Sequence, residues 1–141
     1  MPKTKLDMFM CNLKGDTVND SETAGILGIN ADIRVRACTL AHFKSGGIML
    51  QCLPQTVVAI EQCTIISCRT NGIYIQGKAS RPNILKNKIL FCRSIGIKTN
   101  LDVDANIREN LLELNDVGIE ILNNSSFILD NNIRKMHTNG I

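Results

Sequence analysis

The sequence is poor in aromatic residues, with no Trp, a single Tyr (Tyr74) and four Phe among 141 residues. Any core must therefore be built from aliphatic side chains and thiols. No stretch approaches 18 consecutive apolar residues, so no segment qualifies as a membrane-spanning helix. Behind Met1-Pro2-Lys3-Thr4-Lys5-Leu6-Asp7 no long apolar run follows, and no secretory signal is expected there. Charge bias is also lacking. Sixteen basic against 13 acidic residues leave a net +3, too mild to imply nucleic acid or a membrane surface. Neither H-x-x-x-H nor C-x-x-C occurs, so no zinc or other metal site is expected. The nearest approach to a glycine-rich phosphate loop is only Ser45-Gly46-Gly47. No cofactor is implied.

What is present is apolar and punctuated. Hydrophobic residues make up 44% of the chain. Ile, Leu, Val and Asn dominate its second half, and these are residues of strands and tight turns. The six cysteines are Cys11, Cys38, Cys52, Cys63, Cys68 and Cys92. Four of them fall at core positions of the repeat described next, so we expect buried free thiols in a reducing, cytoplasmic setting rather than disulfides.

A repeat organises nearly the whole chain. Asn83-Ile84-Leu85-Lys86-Asn87-Lys88-Ile89, Asn106-Ile107-Arg108-Glu109-Asn110-Leu111-Leu112 and Phe127-Ile128-Leu129-Asp130-Asn131-Asn132-Ile133 share one frame: aliphatic, two variable residues, Asn, one variable residue, aliphatic. Gly-Ile follows each, at 96–97, 118–119 and 140–141. The frame extends backwards with Cys in place of Asn: Ile60, Cys63 and Ile65 precede Gly72-Ile73, and Val35, Cys38 and Leu40 precede Gly47-Ile48. A weaker copy, Met8, Cys11 and Leu13, precedes Gly25-Ile26. Unit starts at 8, 35, 60, 84, 107 and 128 give a period drifting between 21 and 27.

That period is short for helical-hairpin repeats, and the L-x-x-L-x-L strand of leucine-rich repeats is missing. Short strands broken by Asn and Gly suit a β-solenoid, whose turns absorb the drift. The expectation is an all-β, single-stranded, right-handed parallel β-helix of about six coils of 21–27 residues. Residues 1–32 form a poorly matching N-terminal coil with an inserted loop at 14–24. Residues 33–141 form regular coils that continue, or are capped by a partner, beyond 141.

Stacking predicts columns of like residues. Val35, Ile60, Ile84, Ile107 and Ile128 form one inward ladder, and Leu40, Ile65, Ile89, Leu112 and Ile133 a second. Ile48, Ile73, Ile97, Ile119 and Ile141 form a third, joined two residues on by Leu50, Ile75 and Ile121. Phe43, Cys68, Cys92 and Met136 extend the interior, with Asn115 a polar exception. Asn87, Asn110 and Asn131 read as an asparagine ladder at a bend where Asn takes left-handed angles. The recurring glycines read as relief for a positive φ or for close packing.

The N-I-x-x-N-x-I pattern followed by G-I resembles the repeats of the parallel β-helix superfamily. Arg81-Pro82-Asn83-Ile84-Leu85-Lys86-Asn87-Lys88-Ile89 with Gly96-Ile97 resembles its intracellular eukaryotic style, that of F-box-only and Shc-binding-type proteins. The resemblance implies a fold and leaves function open.

Enzymatic members of that superfamily set cooperating carboxylates on neighbouring coils. The N-T-D, D-D, G-H-G and R-I-K motifs of polygalacturonase-like enzymes are not in this sequence. Asp102 and Asp104, i and i+2, read as a solvated loop between coils rather than a calcium site. His42 and His137 lie in different coils. Lys44, Arg69 and Arg93 share a position just after core residues 43, 68 and 92, and form a candidate outward basic stripe that ends at Asp116. The expected function is a non-catalytic scaffold or protein-interaction module, in a cytoskeletal or ubiquitin-ligase-type assembly. The partner would sit at the open C-terminal end or on a flat β face. The alternative is a carbohydrate-binding or carbohydrate-processing fragment with a polysaccharide ligand.

Overall fold

The computed structural model describes residues 4–15, 23–79, 81–123 and 125–137. Among the described residues seventeen strands build three parallel sheets, and each pairs with its counterparts one repeat away. One coil shows the plan: Asn83–Leu85 lies in sheet A, Lys88–Leu90 in sheet B and Ile95–Thr99 in sheet C. Sheets A and B hold six strands each, from Lys5–Phe9 to Phe127–Leu129 and from Asn12–Lys14 to Asn132–Arg134. Sheet C holds five, from Ala24–Ile29 to Val117–Ile121. The sequence ladders are the register: Val35, Ile60, Ile84, Ile107 and Ile128 stack in sheet A. Leu40, Ile65, Ile89, Leu112 and Ile133 stack in sheet B, and Ile48, Ile73, Ile97 and Ile119 in sheet C. Ile141 lies outside the described residues.

The first coil follows the same register, with Met8 on Val35, Leu13 on Leu40 and Ile26 on Ile48. Of the expected 14–24 insertion, residues 16–22 lie outside the described residues. Twelve Ile and Leu side chains of the columns are fully buried, each contributing about 1.5–3 kcal/mol. One interior position departs from the pattern. Thr99 is completely buried in the column Leu50–Ile75–Thr99–Ile121.

Between sheets A and B the asparagine ladder holds the bend. Asn87 Nδ2 donates to Asn110 Oδ1 (3.0 Å) and to the Ile60 carbonyl (2.9 Å). Asn110 Nδ2 donates likewise to Asn131 Oδ1 and the Ile84 carbonyl, both at 2.9 Å. Each Oδ1 also accepts the backbone N–H of the coil before it, as in Cys63 N to Asn87 Oδ1 (2.9 Å). In the earlier coils a thiol takes this place with longer bonds, Cys63 Sγ to the Val35 carbonyl at 3.4 Å and Cys11 N to Cys38 Sγ at 3.4 Å.

The left-handed residue is not the ladder Asn, as the sequence had led us to expect, but the one before it. Met10, Ala37, Gln62, Lys86, Glu109 and Asp130 all have φ between 51° and 55°. A second left-handed column, His42, Ser67, Phe91, Leu114 and Lys135, turns the chain out of sheet B. Such angles cost L-residues roughly 1–2 kcal/mol each, and at the first corner the Cys or Asn side chain that follows compensates by bonding the bend. At the second corner Asn115, the polar exception, does this work. It accepts from Cys92 N (2.8 Å) and donates to the Ile89 carbonyl (2.9 Å). Of the two roles considered for the glycines, Gly47, Gly72 and Gly96 serve close packing. A Cβ on Gly72 would lie 2.5 Å from Ile89 Cγ2 and 2.6 Å from the Gly96 carbonyl oxygen.

Candidate functional site

The three residues of the expected basic stripe do share a register. Arg69 N donates to the Phe43 carbonyl and Arg93 N to the Cys68 carbonyl, which places residues 44, 69 and 93 on successive coils, with Asp116 and then His137 beyond them. Their side chains differ in one respect the sequence did not show. Lys44 is only 8% exposed, tucked against the body, so it is a buried foot of the stripe and not an outward member. Arg69 and Arg93 are exposed.

Beside the arginines runs a groove of about 480 Å³ lined by Ser67, Phe91, Leu114 and Asp116, with His42 and His137 towards its ends. The two histidines, distant in sequence, thus border one groove because the left-handed column and the arginine column run parallel to the axis. On the other side of Arg69 a second trough of about 480 Å³ separates Lys44 and Arg69 from Met49 and Tyr74 on sheet C.

The outer face of sheet C was not singled out from sequence, because its column has no repeating residue type. In register it reads Leu27, Met49, Tyr74, Lys98, Glu120. The apolar half is accompanied by Ile29 and Leu53, and Leu27, Ile29 and Leu53 are 68%, 59% and 54% exposed. In the polar half Lys98 Nζ pairs with Glu120 at 2.8 Å and stands 6.0 Å from the Tyr74 ring centre. The signal was available: three successive coils carry a large apolar residue at a position that alternation points outward.

Sheet A carries a third depression, of about 500 Å³, lined by Asn83, Asp104, Asn106, Arg108 and the exposed Phe127. Arg108 stacks on Phe127 at 5.9 Å, and Asn106 Nδ2 donates to Asn83 Oδ1 at 2.9 Å. Asp104, half of the acidic pair considered from sequence, accepts from Asn123 Nδ2 at 2.8 Å, while Asp102 is exposed. Among the described residues no three His, Cys, Asp or Glu side chains gather as metal ligands.

All six cysteines are free thiols, five of them buried. Burial pushes the Cys52 and Cys63 thiols up to about 11. A hydrogen bond with Cys68, then burial, pushes the Cys92 thiol up as well. These groups are neutral fillers with little thiolate character at neutral pH.

No curated protein and no solved structure matches this chain. The family described as right-handed β-helix region does, over residues 7–141. The three parallel sheets, the in-register aliphatic columns and that match over nearly the whole chain establish that the protein belongs to the right-handed β-helix family.

Proposed function

We propose that this β-helix is a non-catalytic scaffold or protein-interaction module that engages a partner protein through the outer face of sheet C. The observation that carries the reading is the concentration of apolar side chains on that face: Leu27, Ile29 and Leu53 are more than half exposed, and Met49 and Tyr74 continue the Leu27 column, with Gln51 set among them. Clustered apolar side chains on a rigid, flat surface mark an interaction site more often than scattered ones do. A solenoid suits this role because its stacked coils hold the face without a hinge. Buried, neutral thiols favour a reducing compartment, and a rod of this kind fits cytoskeletal or ubiquitin-ligase-type assemblies.

The test is site-specific photo-crosslinking in cells that express the protein. A benzophenone amino acid at position 49 is expected to trap a defined protein, and the same probe at Lys88 on sheet B is not. Equal trapping at both positions, or none at 49, would overturn the reading.

A second reading, carbohydrate binding, rests on the sheet A depression, where the exposed Phe127 ring adjoins carboxamide, guanidinium and carboxylate groups. Phe127→Ala is then expected to abolish binding to any neutral or acidic oligosaccharide that a glycan array detects. An array without a hit removes this reading.

A further inference from the structure

Two columns run side by side along the solenoid axis at the edge of sheet C. One presents an arginine on each of two successive coils, Arg69 and Arg93, above the buried Lys44. The other presents an apolar side chain on each of three, Leu27, Met49 and Tyr74. Arg69 and Tyr74 belong to one coil, Lys44 and Met49 to the coil before it, and the trough of about 480 Å³ lies between the columns. The seam is thus cationic along one wall and apolar along the other. Neither Arg69 nor Arg93 has a side-chain partner among the described residues.

The backbone of this surface is already committed to the coil ladders. Arg69 N, Arg93 N and Ile95 N donate to Phe43 O, Cys68 O and Asn71 Oδ1. The Gly46–Thr56 and Asn71–Ala79 strands have sheet neighbours on both sides. An extended partner strand therefore cannot add itself here by main-chain pairing. A segment that satisfies its own backbone and offers only side chains is an α-helix. Laid along the axis, a helix repeats its i and i+3 positions every ~4.5 Å, close to the ~4.8 Å between coils. Carboxylates at i and i+3 would then meet Arg69 and Arg93 in turn, while the adjoining helix stripe meets Met49 and Tyr74. Beyond Arg93 the arginine column continues with Asp116 in place of a third cation, which limits the acidic stretch of the helix to the coils of Arg69 and Arg93.

We propose that the seam between Arg69–Arg93 and Leu27–Met49–Tyr74 is the docking site for an acidic amphipathic α-helix of a partner protein. This rests on the interaction-module reading and names the chemistry of the partner.

The probe is a fluorescein-labelled synthetic 18-residue helix with Glu at i, i+3 and i+7 and Leu on the adjoining stripe. It is titrated with the full chain and read by fluorescence anisotropy. A scrambled peptide and one with Lys for Glu are the controls. The acidic helix is expected to bind at least tenfold more tightly than the scrambled peptide, and more weakly at higher salt. Arg69→Glu with Arg93→Glu is expected to lower that affinity at least tenfold and to create binding of the Lys peptide. Met49→Asp is expected to weaken the acidic helix without that exchange of charge preference. Arg69 and Arg93 are exposed and Met49 is half-buried on the outer face, and unchanged far-UV dichroism verifies the fold of each variant.

Equal affinity for the acidic and scrambled peptides, or no effect of the double reversal, would overturn the proposal. If position 49 traps a protein in cells while the acidic helix fails to bind, the occupant proposed here falls and the interaction module stands. If position 49 traps nothing, both fall.

Discussion

Replacing Asn110 by Ala would remove four hydrogen bonds at once from a side chain that is 1% exposed. One group would be left stranded in the interior, the Asn87 N–H, which donates to Asn110 Oδ1 at 2.9 Å, while the Ile84 carbonyl would lose the bond from Asn110 Nδ2 but keep its place in the ladder between Asn83–Leu85 and Asn106–Arg108. Asn87 Nδ2 would retain the Ile60 carbonyl, and Asn131 Oδ1, nearer the surface, can turn to water. A stranded buried group costs about 1–3 kcal/mol and each of the other lost bonds about 0.5–1.5 kcal/mol, so together they amount to about 3–6 kcal/mol. That is a large share of the roughly 5–15 kcal/mol that stabilises a typical domain. The assay is urea unfolding followed by far-UV dichroism, read as the shift of the midpoint at constant slope. Asn110→Cys is the informative companion, because Cys63 holds the same bend two coils earlier through a 3.4 Å thiol bond. We expect it to cost about 1–2 kcal/mol, one or two net hydrogen bonds. A loss below about 1 kcal/mol for the Ala variant, or equal losses for Ala and Cys, would refute the ladder as the element that secures the corner.

Three further outcomes follow from the same geometry. The Cys52 and Cys63 thiols, ordinarily near 9.0, are pushed up to about 11 by burial, so between those values the unfolded chain holds fewer protons than the folded one. Stability is therefore complete below pH 9 and lost as pH rises towards 11, by of order 2–3 kcal/mol per thiol. Urea midpoints across that range should fall less steeply in a Cys52→Ala, Cys63→Ala variant. Gly72→Ala would drive a Cβ against the Gly96 carbonyl and Ile89, neither free to withdraw, and should cost about 2–3 kcal/mol. Gly28→Ala meets side-chain atoms and no backbone, Leu50 Cδ2 at 2.7 Å and Ile33 Cδ1 and Cγ1 at 3.2 and 3.3 Å, and should cost less, about 1–2 kcal/mol by thermal melting. Ile107→Ala, at a fully buried rung, should cost about 2–5 kcal/mol, and Ile128→Ala, 37% exposed on the last described coil, about half as much.

The columns were legible because stacking repeats one chemical requirement once per coil, and a repeated requirement leaves a repeated residue. Ile60, Ile84 and Ile107, or Asn87 and Asn110, announce themselves in this way. The left-handed corners left no such mark. Their φ is imposed by the bonds on either side, so Lys86, Glu109 and Phe91 are held at angles that Asn would adopt at less cost. Lys44 looked equivalent to Arg69 and Arg93, yet sequence spacing gives the position on a coil and not the depth of a long side chain beside a corner. Thr99 was passed over for the opposite reason, a polar residue in an aliphatic column. The sheet C surface had an outward alternation to be read, but its Leu, Met, Tyr, Lys and Glu share no identity from coil to coil, and only the register brought them into one line.

The claim beneath all of this is that like positions of successive coils stack at a constant rise. Asp7, Arg34, Ala59, Asn83, Asn106 and Phe127 form one outward column of sheet A. Spin labels attached to non-cysteine amino acids can measure it by double electron–electron resonance. The pairs 34/106, 7/106 and 7/127 span three, four and five rungs of that column. The account predicts mean separations rising by about 4.8 Å with each added rung. Separations that fail to increase in that order, or that grow in unequal steps beyond the reach of the labels, would contradict it.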